Sequence, residues 1–481
     1  MLYHSTRNEA LTADSAQAVL EGLAADGGLY VPCRLPDFDW RACLEGSSME
    51  METMILSALL PDIPDMAQLV RRAYTGKFET EDLTPTVSVG DFSVLELFRG
   101  PTSAFKDIAL SMLPQLLTAA KSAKGITENI RILTATSGDT GKAALVGFQD
   151  VPGVDICVFY PHGGVSQVQR AQMVTQEGGN VAVCAVEGNF DDTQTGVKQI
   201  FTAFRNRELP FRLSSANSIN IGRLAPQIMY YFRAYKDLLD AGKIRMGDRV
   251  NYSVPTGNFG DILAGWLAKK LGLPVGKLIC ASNANNVLTD FITTGTYDKR
   301  RPLLKTDSPS MDILVSSNLE RLLYLLSGDA GLVADLMAKL SSEGCYTVPG
   351  SLLKAIQAEF EAGCCDDARA HEIIGRVYRD HRYLCDPHTA SGWAAAEDYT
   401  ARTGDKTAMV VLSTASPYKF PAAVLSAIGG DTSGSEFEQM ARLETITGVP
   451  IPAPLASLQG KPERHTGVIA REAMPDFVMS F

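Results

Sequence analysis

The sequence predicts an α/β fold with a parallel sheet covered by helices on both faces. Short apolar runs alternate with helical patterns through most of the chain. Each such run ends in a turn rich in Gly, Ser, Thr or Asn that leads into the next helix, as parallel βα units require.

Residues 1–85 read as a separate, mostly helical N-terminal unit with a turn at Gly27-Gly28. Residues 129–136 (NIRILTAT) read as a strand, 137–141 (SGDTG) as its loop and 142–148 as the start of a helix. A strand is expected at 154–160, a helix near 166–177 and a strand at 180–186. The segment 249–255 (RVNYSVP) is a strand, 256–260 (TGNFG) its loop and 261–271 (DILAGWLAKKL) its helix; Gly272 then sits at the helix stop, with Pro274 beyond. A strand at 277–281 leads into an Asn-rich turn. The stretch 306–380 reads as helical without sheet signals. Residues 408–412 (AMVVL) form the last clear strand, followed by STASPYK at 413–419 and a helix from about 420. The tail after Gly448 is Pro-rich and reads as an extended wrap. Right-handed crossovers collect the loops at the strand C-termini, where a site is expected.

At 481 residues the chain is long enough for about three domains at roughly 150 residues each. The 45% hydrophobic and 21% charged residues fit an ordinary globular protein. A net charge of −11 argues against a nucleic-acid partner but leaves room for a local basic pocket. The nine cysteines show no C-x-x-C spacing and read as free thiols in a reducing compartment; the six histidines form no H-x-x-x-H pair, so no metal is expected. The first residues are polar and mixed in charge, and no apolar run approaches the roughly 18 residues of a membrane span, so a cytoplasmic protein without membrane partners is expected.

Four segments carry candidate chemistry. In FRGPTSAFKD at 98–107, Lys106 lies between Phe105 and the apolar run 108–113. Such surroundings strip solvent from an ammonium, lower its pKa and make the amine a nucleophile. The TGNFG loop ahead of a helix offers close backbone approach at Gly257 and Gly260 and a positive helix end, which suits a phosphate. Asp261 there reads as a helix cap, unhelpful to a phosphate unless its side chain turns to backbone N–H groups. The SGDTG loop offers hydroxyls and N–H groups to a carboxylate or phosphate, with Lys142 adding a cation. Ser413-Thr414 ends a strand, where a hydroxyl either caps the next helix or meets a ring nitrogen.

Together these segments resemble the fold-type II pyridoxal-phosphate enzymes, and in wording the longer bacterial and fungal form of the threonine synthase family. The resemblance spans nearly the whole chain: YHSTR at 3–7, GLAADGGLYVP at 22–32, GPTSAFKD, ATSGDTGKAA, EGNFDD at 187–192, SANSINIGRLAPQ at 215–227, GNFGD at 257–261 and SSNLER at 316–321. Two departures stand out: Asn8 follows STR where the family usually has Gly, and SPYKF at 416–420 replaces its usual HPAKF.

The resemblance implies an N-terminal domain at 1–85, a catalytic core at 86–448 with a smaller α/β subdomain at about 120–205, and an extended tail at 449–481. It implies that Lys106 holds pyridoxal 5′-phosphate as a Schiff base, with contacts from Gly257, Asn258, Phe259, Gly260 and Asp261 and with Thr414 at the ring nitrogen. Ser137, Gly138, Asp139, Thr140, Lys142, Asn189, Asn217 and Arg223 are the expected substrate residues, Asp139 alternatively standing near the cofactor's ring oxygen. The implied reaction turns O-phospho-L-homoserine and water into L-threonine and phosphate, by a protein that is a monomer or homodimer. A phospho-lyase releasing 2-oxobutyrate, a serine/threonine dehydratase and a non-catalytic binding protein are the competing expectations.

Overall fold

Two sheets organise the molecule, and each buries strands on both faces. The computed structural model describes residues 1–204 and 207–481. In the larger sheet the spatial order is Phe360–Cys364, Val275–Ser282, Val250–Pro255, Ala408–Ser413, Phe92–Glu96 and Thr86–Val89. The pairs are parallel except the last, where Thr86–Val89 runs antiparallel to Phe92–Glu96. The smaller sheet is parallel throughout, in the order Val468–Ile469, Val181–Val186, Val154–Pro161, Asn129–Ala135 and Phe211–Ser215. Every residue of Val250–Pro255 and of Val181–Val186 is buried; Val181–Val186 is accordingly an unbroken apolar run, whereas Val250–Pro255 buries Asn251 and Ser253 by hydrogen-bonding them to Asp405 and the Gly392 carbonyl.

The loops of interest leave the carboxyl ends of these strands. The Lys106–Ala123 helix follows Phe92–Glu96, and the Gly260–Lys270 helix follows Val250–Pro255. Thr414 follows Ala408–Ser413. The Asp139–Phe148 helix follows Asn129–Ala135 of the smaller sheet and packs against the Lys106–Ala123 helix. The parallel-sheet expectation therefore holds, and the strand ends of both sheets converge on one place.

Several local expectations need correction. The helix after SGDTG begins at Asp139 and not at Lys142, so the loop is shorter than its sequence suggests. The N-terminal unit contains a three-stranded antiparallel sheet (Asn8–Asp14, Leu2–Ser5, Tyr30–Pro32) besides its helices. Its longest strand, NEALTAD, is mostly exposed and shows no apolar alternation. The 306–380 stretch also holds a strand, Phe360–Cys364, which closes one edge of the larger sheet. Its sequence, FEAGC, carries little strand signal, and its order comes from pairing with Val275–Ser282. The tail is more regular than a plain wrap: it forms the Ala453–Ala456 helix, the Val468–Ile469 edge strand and the Met474–Ser480 helix. The smaller sheet thus takes two of its strands from beyond the 120–205 span, whose last residue, Arg205, lies outside the described residues.

Candidate active site

Lys106 is the first residue of its helix and is 8% exposed. Two main-chain hydrogen bonds fix its segment against the stretch that follows the Ala408–Ser413 strand: Phe105 N–H donates to the Thr414 carbonyl at 2.8 Å, and Ser416 N–H to the Ser103 carbonyl at 3.0 Å. The Lys106 amine donates to Ser310 Oγ at 3.2 Å and stands 3.7 Å from Asp139 Oδ2. Burial pushes its pKa down to about 8; Asp139 works against that shift, while Lys419 and Arg223 add to it. The amine is therefore free of its proton far more often than a surface lysine's.

Asp139 is nearly sealed from solvent. Lys419 Nζ meets its Oδ1 at 2.7 Å, Gln169 Nε2 donates to the same oxygen at 3.1 Å, and Ser310 Oγ donates to Oδ2 at 3.3 Å. Burial alone would raise this carboxyl, but Lys419 and Lys106 outweigh it and hold it well below the usual carboxylate range. Gly138 before it has φ +140°, and an added Cβ would stand 2.4 Å from the Gln169 side chain, so the loop needs glycine here. Ser137 and Thr140 are half-buried in the same loop.

Ser310, on the Pro309–Met311 turn, ties three groups together. Besides Lys106 and Asp139 it reaches His388, since its N–H donates to His388 Nε2 at 3.1 Å. With Nε2 accepting, the ring proton lies on Nδ1, which donates to Asp386 Oδ2 at 2.6 Å. Asp386 also caps the Pro387–Thr403 helix through Thr389 and His388.

The 256–260 loop presents unengaged donors. The N–H groups of Gly257, Asn258 and Phe259 have no acceptor among the described residues. Their carbonyl side is braced: Ser316 Oγ donates to the Gly257 carbonyl at 2.7 Å, and Asn318 N–H to the Asn258 carbonyl at 3.0 Å. A Cβ on Gly257 would fall 2.5 Å from the Ser310 carbonyl, so backbone and not side chain fills this space. Phe259 adopts φ +64° and turns its ring to Phe360, and Gly260 opens the helix. The sequence expectation for Asp261 is corrected. Its carboxylate faces away from the loop, accepting from Tyr230 at 2.5 Å and Tyr231 at 3.0 Å. Burial raises its pKa to about 6 against those two hydrogen bonds.

The remaining expected residues divide in two. Arg223 is 3% exposed, donates to the Ala216 carbonyl at 2.6 Å, keeps an unpartnered buried Nε and is close enough to depress Lys106. Lys142 is half-buried and donates to Gln176 at 2.7 Å; burial lowers its pKa to about 8. Asn189 instead trades hydrogen bonds with Asp192 at a helix start, and Asn217 is exposed. No hydrogen bond or ion pair among the described residues links either to Lys106. Three contributors were not singled out from sequence: Lys419, Ser310 and the Asp386–His388 pair. Only Lys419 gave a signal, as part of the SPYKF run.

The comparisons with known proteins agree with this geometry. A family model described as pyridoxal-phosphate dependent enzyme matches residues 79–414, and models for the threonine synthase N terminus and C-terminal region match 2–88 and 389–478. Threonine synthase of Pseudomonas aeruginosa is 41% identical over 432 residues, covering 88% of this chain and 90% of that protein. The chain belongs to the threonine synthase family. Human threonine synthase-like 1 is 40% identical over 435 residues, covering 86% of this chain; the match takes in 58% of that relative's length. A crystal structure of pyridoxal-phosphate-bound threonine synthase from Brucella melitensis superposes with a TM-score of 0.87 at 38% identity, covering 100% of this chain and 99% of that one.

Pyridoxal phosphate is the cofactor of this family of folds, and the residues here fit it. A buried amine of lowered pKa stands beside a loop whose N–H groups are unengaged and whose glycine leaves no room for a side chain. No described helix is long and apolar enough to cross a membrane.

Proposed function

We propose that the protein is a threonine synthase that converts O-phospho-L-homoserine and water into L-threonine and phosphate. The observation that carries this reading is the charge at the site. In a chain of net charge −11, the buried cations Lys106 and Lys419 both meet one strongly ionised carboxylate, Asp139, while buried Arg223 lies near enough to Lys106 to lower its pKa and half-buried Lys142 feels the charge of Lys419. A doubly anionic substrate and an anionic cofactor balance that excess.

When bound, pyridoxal phosphate supplies the electron sink for deprotonation at Cα and for loss of phosphate from Cγ. Lys106 would anchor the cofactor, and its amine is the base that would take the Cα proton and move a proton at Cβ. The Gly257, Asn258, Phe259 and Gly260 N–H groups would hold the cofactor phosphate, and Asp261 positions their helix through the two tyrosines. Thr414 would stand at the ring nitrogen. Ser137, Gly138, Thr140, Lys142 and Arg223 receive the substrate's anionic groups, with Asn189 and Asn217 at the rim. Closure of the smaller sheet over the substrate excludes water until phosphate has left. The parts are an N-terminal domain at 1–85, a core at 86–448 with the smaller subdomain at about 120–205, and a tail at 449–481. The protein acts in the cytoplasm as a monomer or homodimer.

The test is a product assay with O-phospho-L-homoserine. The expected result is threonine and phosphate in equal amounts. Formation of 2-oxobutyrate without threonine overturns the reading in favour of a phospho-lyase on the same scaffold.

A further inference from the structure

Two lysines compete for Asp139, and the closer one is not the lysine that anchors the cofactor. Lys419 Nζ lies 2.7 Å from Asp139 Oδ1, within a charge-assisted hydrogen bond, whereas Lys106 Nζ is 3.7 Å from Oδ2 and donates to Ser310 instead. Lys419 is wholly buried, held in place by the Thr102 carbonyl at 3.1 Å. Thr102 belongs to the same turn as Lys106, so Lys419 spans from the Lys106 segment to the Asp139 loop.

We propose that Lys419 is a positioning residue for the reaction: it draws the Asp139 carboxylate away from Lys106, so that the Lys106 nitrogen gives up its proton readily while Asp139 stays ionised beside it. The inference rests on the reading of Lys106 as cofactor anchor and base. A base must be neutral for part of each cycle. A direct Lys106–Asp139 pair, buried and unchallenged, would lock Lys106 as an ammonium. An absent Asp139 would leave the proton Lys106 collects without a counter-charge. Lys419 sets the balance between these extremes.

Every charged or titratable neighbour of Lys106 fits this account. Asp139 comes from the smaller sheet's loop, Lys419 from the Pro417–Lys419 turn and Arg223 from the Ile221–Leu224 helix. Asp107, next along its own helix, is engaged with Thr102 N–H at 2.9 Å. Asp261, from the Gly260–Lys270 helix, faces two tyrosines. His388 reaches the cluster through Ser310, whose N–H donates to its Nε2 at 3.1 Å. Asp139 is thus the carboxylate whose hold on Lys106 is contested.

The experiment titrates the visible absorption band of the holoenzyme with pH, because that band reports the proton on the Lys106 nitrogen; melting curves check the fold of each variant. Removing the competing cation in Lys419→Met is expected to raise the midpoint by about one pH unit, tenfold in proton affinity. Removing the anion in Asp139→Asn is expected to lower it. Lys419→Arg, which keeps the charge, should stay near the wild type. If Lys419→Met does not fold, Lys419→Gln, which removes the charge but keeps a hydrogen-bond donor, is read in its place, with the same upward shift expected and an unmoved midpoint overturning the proposal. A midpoint that stays put or moves down in Lys419→Met, or stays put in Asp139→Asn, overturns this proposal alone. A wild type without a visible band overturns the functional reading and this proposal with it.

Discussion

Asp139 and Asp261 occupy matching places on different sheets. Each follows a glycine-containing loop at a strand's carboxyl end, sits in the first turn of a helix and is almost wholly buried. Asp139 meets two lysine amines and is held firmly ionised. Asp261 meets two tyrosine hydroxyls, which donate hydrogen bonds but carry no charge, and its pKa rises to about 6. Burial acts alike on both, so the difference lies in their partners. One loop is built to keep a charge at the reacting centre. The other keeps charge away from N–H groups that await an anion.

The largest expected effect breaks the comparison at its shared neighbour. Lys106→Ala should abolish the cofactor's visible band and lower turnover by at least the 10²–10⁴-fold that a positioned general base supplies, measured with saturating O-phospho-L-homoserine. Retained turnover would remove Lys106 from the mechanism. Next, Asp139→Asn leaves Lys419 buried without its counter-charge, and a loss of about 3–5 kcal/mol in unfolding free energy is expected from denaturant titration. Asp261→Asn should cost about 1 kcal/mol, since an amide oxygen still accepts from the tyrosines. A similar cost at both positions would contradict the assignment of charge. Gly257→Ala, which sets a Cβ against the Ser310 carbonyl, should weaken cofactor retention on dialysis while Lys106 remains reactive; full retention would show that the loop yields.

The smallest effect lies in the pH dependence of stability. The Asp261 carboxyl has a higher pKa folded than unfolded, so between about pH 4 and about pH 6 the folded state binds more protons and stability falls as pH rises through that window. Asp107, also raised to about 6 by burial, acts in the same sense. Asp139 has the opposite sign: its contribution is complete above the ordinary carboxylate pKa and is lost as pH falls toward its much lower folded value. Asp261→Asn should therefore flatten the slope between those pH values without removing it. An unchanged slope in urea midpoints would show that Asp261 does not carry the raised pKa.

Sequence made one side of this comparison clearer than the other. The strand–loop–helix units around 129–148 and 249–271 were legible because they place apolar runs, glycines and helix starts within a few residues of one another. The contacts that decide the chemistry were not. Ser310 meets Lys106 across 204 residues, and Lys419 meets Thr102 across 317. No local pattern marks a serine on a short turn or a lysine near a proline as buried beside an aspartate. The side chain of Asp261 was misplaced for the same reason: its tyrosine partners lie 31 and 30 residues upstream on another helix. The Phe360–Cys364 strand and the N-terminal sheet were missed because pairing, and not propensity, orders them.

The central claim is that Lys106 carries the cofactor, and reduction with borohydride followed by peptide mapping tests it most directly. The account predicts one pyridoxyl adduct, on Lys106 in the peptide containing GPTSAFKD. An adduct on Lys419 or Lys142 instead, or no adduct in cofactor-loaded protein, would contradict it.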